Sequence, residues 1–449
     1  MAIITSTSFK GTTTEALAAT AAEIKASTKV TITDNTYTAA NLIAILLKTN
    51  NHPVVLEKTA AGIPLSAPYA DIVTIIEGVN KYTGSLTATG NVPAEQLNII
   101  AKGTTGKVTA TLAPGEAIDA ATVTALKDVK TSDAITFAPT QTTVSGNSEL
   151  TALINLKKLL PNADFTGIDT ILGTQSDVAL IKSAQKLAAD DADVTITGQI
   201  SAADANAIAK ATDGALTATI KSGSVAATLK ALADVDKAID KITFTTTDKT
   251  VNARDLVLLN DKFQTPTNFN VTSIETITEN AKDVGVNAKN VTDALAIADV
   301  AVKITGTISA TTADLIAAVA TETVTATIAA GTAADLNTAL AAAGVNAYTI
   351  TLASGTAAAK DLTDLDAKTS VPVNANAISK ITGSVAEIEA AYAANTAKTI
   401  SGLGNEAVEI TGGGVAAADA NKVLKLTTGV VTAIVNGNTA AGLVNDLVD

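Results

Sequence analysis

The chain has 449 residues, of which 47% are hydrophobic but only 2% aromatic; it has no Trp and no Cys, and its formal net charge is −13. This composition excludes disulfide and thiol chemistry and argues against nucleic-acid binding, which depends on clustered cations with interleaved aromatic rings. The single histidine, His52, leaves a zinc site or a histidine-based catalytic triad with at most one participant.

The amino terminus reads MAIITSTSFK and lacks the basic segment followed by an apolar segment that marks a Sec-type signal peptide. No run of about 18 apolar residues occurs in the chain, so the sequence predicts no membrane-spanning helix. We therefore expect no insertion into membranes, and an export route without a Sec-type signal if the protein leaves the cell.

Strand-like segments are predicted first at Ile3, Val30 and Val54. From residue 86 onward, one pattern returns four times. Its copies are 86–112, 194–220, 302–328 and 408–435. The offsets are 194−86=108, 302−194=108 and 408−302=106, which indicates a long internal repeat. The predicted organisation is an N-terminal part (1–85), three long repeats (86–193, 194–301 and 302–407) and a C-terminal partial repeat (408–449).

Each copy combines a strand pattern with a helix pattern. Val194 and Ile196 alternate with Thr195 and Thr197, as in a strand with one buried face. Ser201, followed three residues later by Asp204, is typical of a helix start, and the predicted helix covers 201–211. Further strands are predicted at Ile135, Ile242 and Tyr348, with weaker ones at Phe165, Phe269 and Val371. The whole chain then holds about 17 strands.

Short strands and helices that alternate at a constant spacing favour an α/β strand–helix solenoid over a doubly wound sheet, which needs longer crossovers and no repetition. We expect one parallel β-sheet with short helices on the other side and about 17 repeats. This architecture resembles that of leucine-rich repeats. The leucine-rich consensus with its buried Asn is not matched, so the resemblance concerns architecture alone.

The outward strand positions carry many Thr-x-Thr pairs, beginning with Thr31 and Thr33. A possible surface array is formed by Thr109, Thr111, Thr195, Thr197, Thr217, Thr219, Thr325 and Thr327. On a flat sheet such pairs resemble the surface of ice-binding solenoids. Threonine is also simply favoured at solvent-facing strand positions, and Lys303 and Glu409 interrupt the pattern. The alternative is a packing surface between subunits.

Acidic turns suggest a possible Ca²⁺ site between neighbouring molecules, because this ion prefers carboxylate and carbonyl oxygens. The turns contain Asp190, Asp191, Asp193, Asp234, Asp236 and Asp240. Neither an EF-hand loop nor the calcium-binding nonapeptide occurs, and solvated helix ends explain the same residues. No nucleophile with a nearby base and no paired carboxylates stand out from the repeat. The sequence therefore predicts no catalytic or cofactor-binding residues and a protein that is not an enzyme.

Ala- and Thr-rich phrases recur in the second half of the chain, including SGLGNEAVEITG at 401–412 and AKDLTDLDAKTSVPVNANAI at 359–378. From about Val194 onward these phrases resemble repeats of very large cell-surface and S-layer-like proteins of marine cyanobacteria. The resemblance implies a surface-layer, adhesin or motility-associated component without catalytic residues.

Three functions remain open at this point. The first is an extracellular structural protein that assembles with copies of itself into a filament, sheath or layer. The second is a virion fibre or appendage of a phage, and the third is an ice- or glycan-binding module that uses the Thr-x-Thr face.

Overall fold

The computed structural model describes residues 2–5, 8–25, 29–34, 36–49, 52–57, 63–285, 288–342 and 344–436. The chain divides into a first unit, Met1–Lys221 with Asp234–Ile242, and a second unit, Ser222–Ala233 with Thr243–Asp449. Each unit alternates short strands with short helices. None of the helices among the described residues has the length and apolar character needed to cross a membrane.

The first unit has these strands: β1 (Ile3–Thr5), β2 (Ser8–Gly11), β3 (Lys29–Ile32), β4 (Val54–Leu56), β5 (Leu65–Pro68), β6 (Val79–Asn80), β7 (Leu86–Val92), β8 (Val108–Leu112), β9 (Ala134–Thr136), β10 (Thr143–Ser145), β11 (Thr170–Thr174), β12 (Asp193–Ile200) and β13 (Leu216–Ile220). Its helices are α1 (Thr13–Ala18), α2 (Ala21–Lys25), α3 (Ala39–Leu46), α4 (Tyr69–Gly78), α5 (Ala94–Gly103), α6 (Ala120–Ala125), α7 (Gly146–Leu159), α8 (Val178–Ala184) and α9 (Ala202–Ala209).

The second unit has these helices: α10 (Val225–Ala231), α11 (Ala253–Asn260), α12 (Lys289–Ile297), α13 (Ala310–Ala317), α14 (Ala333–Ala339), α15 (Ala359–Asp366), α16 (Val385–Ala397) and α17 (Ala417–Leu424), with a 3-10 turn at Pro266–Asn268. Its strands are β14 (Lys241–Thr245, which crosses the unit boundary), β15 (Thr250–Asn252), β16 (Phe269–Asn270), β17 (Thr276–Asn280), β18 (Ala301–Ile308), β19 (Val324–Ile328), β20 (Ala347–Thr349), β21 (Gly355–Ala358), β22 (Val373–Asn374), β23 (Ile378–Gly383), β24 (Ile400–Ser401), β25 (Ala407–Ile410) and β26 (Val431–Thr432).

Parallel pairing dominates both units. In the first unit the sheet orders are β1-β2-β3-β4-β6, β5-β7-β8-β9 and β10-β11-β12-β13, and β1 pairs with β2 antiparallel. In the second unit β14 pairs with β16, β22 pairs with β24, and two longer sheets run β15-β17-β18-β19-β20 and β21-β23-β25-β26. Helices lie in the connections because parallel neighbours need a crossover. The predicted α/β class with parallel strands and short helices is confirmed.

The strands lie in several sheets, whereas the sequence predicts one. Four sheets begin at a strand that runs directly into a helix: β5 into α4, β10 into α7, β15 into α11 and β21 into α15. The last three of these strands begin at residues 143, 250 and 355, which are 107 and 105 residues apart. A new sheet thus starts about once per long repeat.

The strand count also differs from the prediction, since the described residues contain 26 strands where about 17 were predicted. The additional strands include three-residue segments such as β10 and β15, which are too short to display an alternating pattern. The long-repeat boundaries at 86, 194, 302 and 408 stay a prediction.

The core consists mainly of small aliphatic side chains. In β8, Val108, Ala110 and Leu112 are buried and alternate with exposed threonines. Full burial of such a side chain contributes about 1.5–3 kcal/mol for a Val or Leu. The few aromatic side chains also pack in the core: the rings of Phe137 and Phe165 meet edge to face with their centroids 5.9 Å apart.

Hydrogen-bonded Asn–Asp pairs, called braces below, connect successive turns of the chain. Asn206 donates from Nδ2 to Oδ2 of Asp234 at 2.8 Å and accepts from the Asp234 backbone N–H at 2.6 Å. Asn98 and Asp128 form the same reciprocal pair at 3.0 and 2.7 Å. Because 206−98=108, the brace recurs at the repeat spacing.

Candidate docking surface

The eight predicted array threonines lie on the outer faces of their strands. Six are exposed, and Thr195 and Thr217 are half-buried. Thr31, in contrast, is buried, so its predicted outward position is wrong. A role for the array as a ligand or packing surface stays a prediction.

Parallel register places some of these threonines side by side. Thr195 lies opposite Thr217, and Thr327 lies opposite Thr349. The hydroxyl oxygens of Thr111 and Thr136 are 3.0 Å apart.

The columns are short, however, because other residues occupy the next positions. Thr109 is followed across the sheet by Ala134, and Thr325 has Lys303 on one side and Ala347 on the other. Strands β7 and β12 contribute Asn91 and Gln199 opposite Thr111 and Thr219. A continuous two-column lattice of threonines is therefore not formed by these strands.

A bulge interrupts the same outer face in three copies of the repeat. Thr195 of β12 pairs with Thr217 of β13, and the next pair is Gln199 with Thr219. Between these pairs β12 advances by four residues and β13 by only two. Strands β7 and β18 shift register in the same way against β8 and β19. The residues of the three bulges are 89–91, 197–199 and 305–307, and all nine are exposed.

Glycine makes each bulge possible. Gly90, Gly198 and Gly306 have φ angles of 87°, 88° and 90°, and Gly412 in the fourth copy has 96°. Residues with a Cβ rarely adopt this conformation. The repeated Thr-Gly dipeptide is visible in the aligned copies, but sequence reasoning did not recognise the bulge that it forms.

Two polar depressions lie in the first unit, and the bulge residue Gln199 lines one of them. One, of about 280 Å³, is lined by Gln175, Ser176, Val178, Gln199, Ile200, Ser201, Asp204 and Lys221. The other, of about 490 Å³, is lined by Tyr69, Pro93, Ala94, Glu95, Gln96, Glu116, Ala121, Thr122 and Ala125. Pro93 and Gln96 of the larger depression lie 108 residues before Ser201 and Asp204 of the smaller one, whereas the other lining residues do not correspond between the two copies.

Local structure at the first depression follows the sequence pattern. Ser201 is the N-cap of α9, as predicted: its hydroxyl accepts from the Asp204 backbone N–H at 3.0 Å. Asp204 also pairs with Lys182. Hydrogen bonding to the Lys182 ammonium, and then to the Ser201 hydroxyl, lowers the pKa of Asp204 below its ordinary value despite partial burial. The Asp204 carboxylate is thereby kept ionised and fixed in place.

Carboxylate oxygens of the acidic turns accept hydrogen bonds from backbone N–H groups of the same chain. Asp193 accepts from the Ala215 N–H at 2.7 Å, and the buried Asp240 accepts from the N–H groups of Leu216 and Asp236. Among the described residues no three His, Asp or Glu side chains lie close enough together to hold a metal ion. The possible Ca²⁺ site therefore has no preformed ligand set in that part of the chain.

His52 lies half-buried at an open depression of about 670 Å³ in the first unit. Its other lining residues are Leu46, Leu47, Thr49, Pro53, Thr74, Glu77 and Gly78. The His52 backbone N–H donates to the Thr49 carbonyl, three residues beyond the end of α3, at 3.1 Å.

The chain matches no family model and no curated protein sequence. Similar solved structures include the PEPR1–AtPEP1 complex, at 10% identity over 90% of this chain and 64% of that one, with a TM-score of 0.18. Another is the leucine-rich-repeat ectodomain of the Arabidopsis receptor kinase HAESA in complex with an IDA peptide hormone. It is 10% identical over 88% of this chain and 68% of that one, with a TM-score of 0.16. The chain thus spans less than two thirds of the length of the first. Scores this low carry no argument about function or partners.

Proposed function

We propose that this protein is an extracellular structural component that assembles with copies of itself into a filament, sheath or layer at the cell surface. The observation that carries the proposal is the recurrence of one outer-surface feature, the glycine bulge, at a spacing of 108 residues with φ angles that agree within a few degrees. A surface that repeats in this way offers the same contact several times along one chain.

The buried acids support a structural role. Asp133 accepts from the N–H groups of Val108 and Lys130, at 2.9 Å each. Glu279, also buried, accepts from the side chain of Asn252 and from the Asn280 N–H. Their oxygens satisfy backbone and side-chain donors of the repeat, which is the arrangement expected of groups that hold a fold together.

The proposed architecture is a leucine-rich-repeat-like solenoid, supported by the parallel register that links successive turns within each unit. An S-layer-like or adhesin-like setting belongs to the same proposal. The ice- or glycan-binding alternative gains no support from the short threonine columns.

Electron microscopy and sedimentation velocity of the purified protein, with Ca²⁺ and with a chelator, test this function. We expect ordered assemblies whose amount rises with protein concentration. A monodisperse monomer at high concentration in both solutions would contradict the proposal. Recovery of the protein only from purified virions would instead assign it to a phage appendage.

A further inference from the structure

Strand β26 lies at the edge of its sheet, although the equivalent strands of earlier copies lie between two neighbours. Register defines the equivalence, because Val431 pairs with Val408 as Val324 pairs with Val302. Strand β19 has β18 on one side and β20 on the other, and β8 lies between β7 and β9. In the part of the chain that the structure describes, β26 pairs with β25 alone. One edge of β26 is therefore open to a further strand.

Side chains of β26 are less covered than their counterparts. Val431 is half-buried, whereas Val324 in the third copy is fully buried. Ile434 is 70% exposed, and the equivalent residue of the third copy is Thr327. An isoleucine gains more free energy than a threonine when a further strand covers it. The side chains of β26 thus favour a covered edge.

Backbone groups of β26 also point to the open edge. The Val430 carbonyl oxygen accepts from the Val408 N–H at 2.8 Å. The Ile434 carbonyl oxygen accepts from the Val415 N–H, also at 2.8 Å, so both carbonyls face the preceding turn. Because these directions alternate along a strand, the N–H and C=O of Val431 point the other way.

The earlier copies show which bond this edge can make. In each of them the N–H equivalent to that of Val431 donates at 2.9 Å to a side-chain oxygen just before the next strand. These acceptors are Asp133, Asp240 and Asn346. No described residue accepts from the Val431 N–H. A strand that pairs with β26 must therefore bring its own acceptor.

A short sequence pattern defines that strand. The segments that begin at the three acceptors read DAITF at 133–137, DKITF at 240–244 and NAYTI at 346–350. The pattern is Asp or Asn, any residue, Ile or Tyr, Thr, and Phe or Ile. Its third and fifth side chains are buried in every copy: Ile135, Phe137, Ile242, Phe244, Tyr348 and Ile350. Residues 437–449 do not contain this pattern.

We propose that the open edge of β26 binds an extended segment of another protein that carries this pattern and adds to the sheet as a parallel strand. The Asp or Asn of the segment accepts from the Val431 N–H. Its Ile or Tyr lies beside Ala433, as Tyr348 lies beside Ala326. In strand addition, backbone hydrogen bonds give affinity and alternate side chains give specificity. The inference goes beyond the proposed self-assembly and does not depend on it.

A peptide titration tests the binding. A fluorescein-labelled peptide with the sequence of 345–352, VNAYTITL, is added to the full chain and followed by fluorescence anisotropy. We expect saturable binding, weakened several-fold by Asn346→Ala in the peptide. Methylation of the Thr349 amide nitrogen should abolish binding, because this N–H faces the acceptor strand. Methylation at Tyr348 is the matched control, since that N–H donates to the Thr369 hydroxyl, away from β19.

Single cysteines locate the site, because the chain has no Cys. The full-length Thr432→Cys protein and a peptide with Ala347→Cys should form a mixed disulfide under mild oxidation. Thr325, the equivalent of Thr432, pairs with Ala347, and the bond needs Cβ atoms within about 4.5 Å. Thr325→Cys is the matched control. It should give several-fold less product, because β20 already occupies that edge.

These outcomes decide the proposal. Saturable binding with the expected order of peptides and of cysteine variants supports it. No saturable binding, equal effects of the two methyl groups, or equal cross-linking of the two variants would overturn it. A disulfide dimer of Thr432→Cys without peptide would also overturn it, because a second copy then occupies the edge. The micrographs and sedimentation runs that test self-assembly are independent of all these results.

Discussion

The carboxylate of Asp240 accepts a hydrogen bond from the backbone N–H of Leu216, at 2.9 Å, and so links a loop to the start of β13. Asp133 makes the same bond to Val108 at 2.9 Å, and in the third copy Asn346 makes it to Val324 at 2.9 Å. A side-chain oxygen thus accepts this hydrogen bond in all three copies, although it belongs to a charged Asp in two of them and to a neutral Asn in the third. This comparison indicates that the bond matters more than the negative charge.

Replacement of Asp240 tests that conclusion. Asp240→Ala leaves the buried N–H groups of Leu216 and Asp236 without their acceptor, and we expect the free energy of unfolding to fall by about 2–3 kcal/mol. Asp240→Asn should cost less, because its Oδ1 still serves Leu216 as Asn346 serves Val324. Urea denaturation followed by circular dichroism measures both. The exposed Asp213→Ala is the control, with a change within about 0.5 kcal/mol; equal losses for Asp240→Ala and Asp240→Asn would contradict the argument.

The Thr212 hydroxyl makes a second set of hydrogen bonds that recurs in the repeat. Its buried hydroxyl lies 2.6 Å from the Ala192 carbonyl oxygen and accepts from the Gly214 N–H at 2.9 Å. Thr104 and Thr427 make equivalent contacts, with Gly106 and Gly429 as donors.

Thr212→Val keeps the shape of the side chain but removes the hydroxyl and with it the hydrogen bonds to Ala192 and Gly214. We expect a loss of about 1–3 kcal/mol in the free energy of unfolding, because two buried backbone groups lose their partner. Thr109→Val, at an exposed strand position, is the control and should change stability little. A thermal unfolding series distinguishes the two; identical midpoints would rule out the proposed role of the Thr212 hydroxyl.

The bulge glycines allow a third test. At Gly90 no residue other than the two chain neighbours has an atom within 4 Å of the place that a Cβ would occupy, so an alanine there meets no tertiary clash and only the positive φ of 87° opposes it. We expect Gly90→Ala to destabilise the protein by about 1–2 kcal/mol. Gly115→Ala, which is equally open and lacks the positive φ, should be neutral or slightly stabilising. Differential scanning calorimetry of the two variants decides, and equal effects would remove backbone strain as the explanation.

The sequence predicts the α/β class well, because strong alternation at Val194–Ile196 and the Ser201 cap are local signals that the structure confirms. It does not predict the division into several sheets. That division depends on three-residue strands such as β10 and β15, whose pairing is decided by tertiary contacts and not by their own pattern.

The docking surface was predicted only in part. Outward threonines follow from the two-residue period of a strand. The bulge requires a comparison of register between neighbouring strands, and the depressions arise where one turn meets the next; neither is encoded in a single segment. Recurrence of Thr-Gly at 89–90, 197–198 and 305–306 is the one signal that could have located them.

The last test concerns pH. Asp177 is buried and accepts from the N–H and the hydroxyl of Thr174, at 2.9 and 2.8 Å, just before α8. These hydrogen bonds, the backbone one first, lower the pKa of Asp177 below its ordinary value of 3.8 and outweigh the opposing effect of burial.

A carboxyl group whose pKa is lower in the folded protein stabilises the fold above its unfolded pKa, and this contribution disappears as the pH falls through the folded pKa. We therefore expect Asp177→Asn to be less stable than the wild type at pH 7, with a difference in the free energy of unfolding that narrows as the pH is lowered below about 4. Urea unfolding curves of both proteins across this range measure the gap. If the difference between them stays constant with pH, the Asp177 carboxylate does not contribute through its charge, and its hydrogen bonds act as neutral ones would.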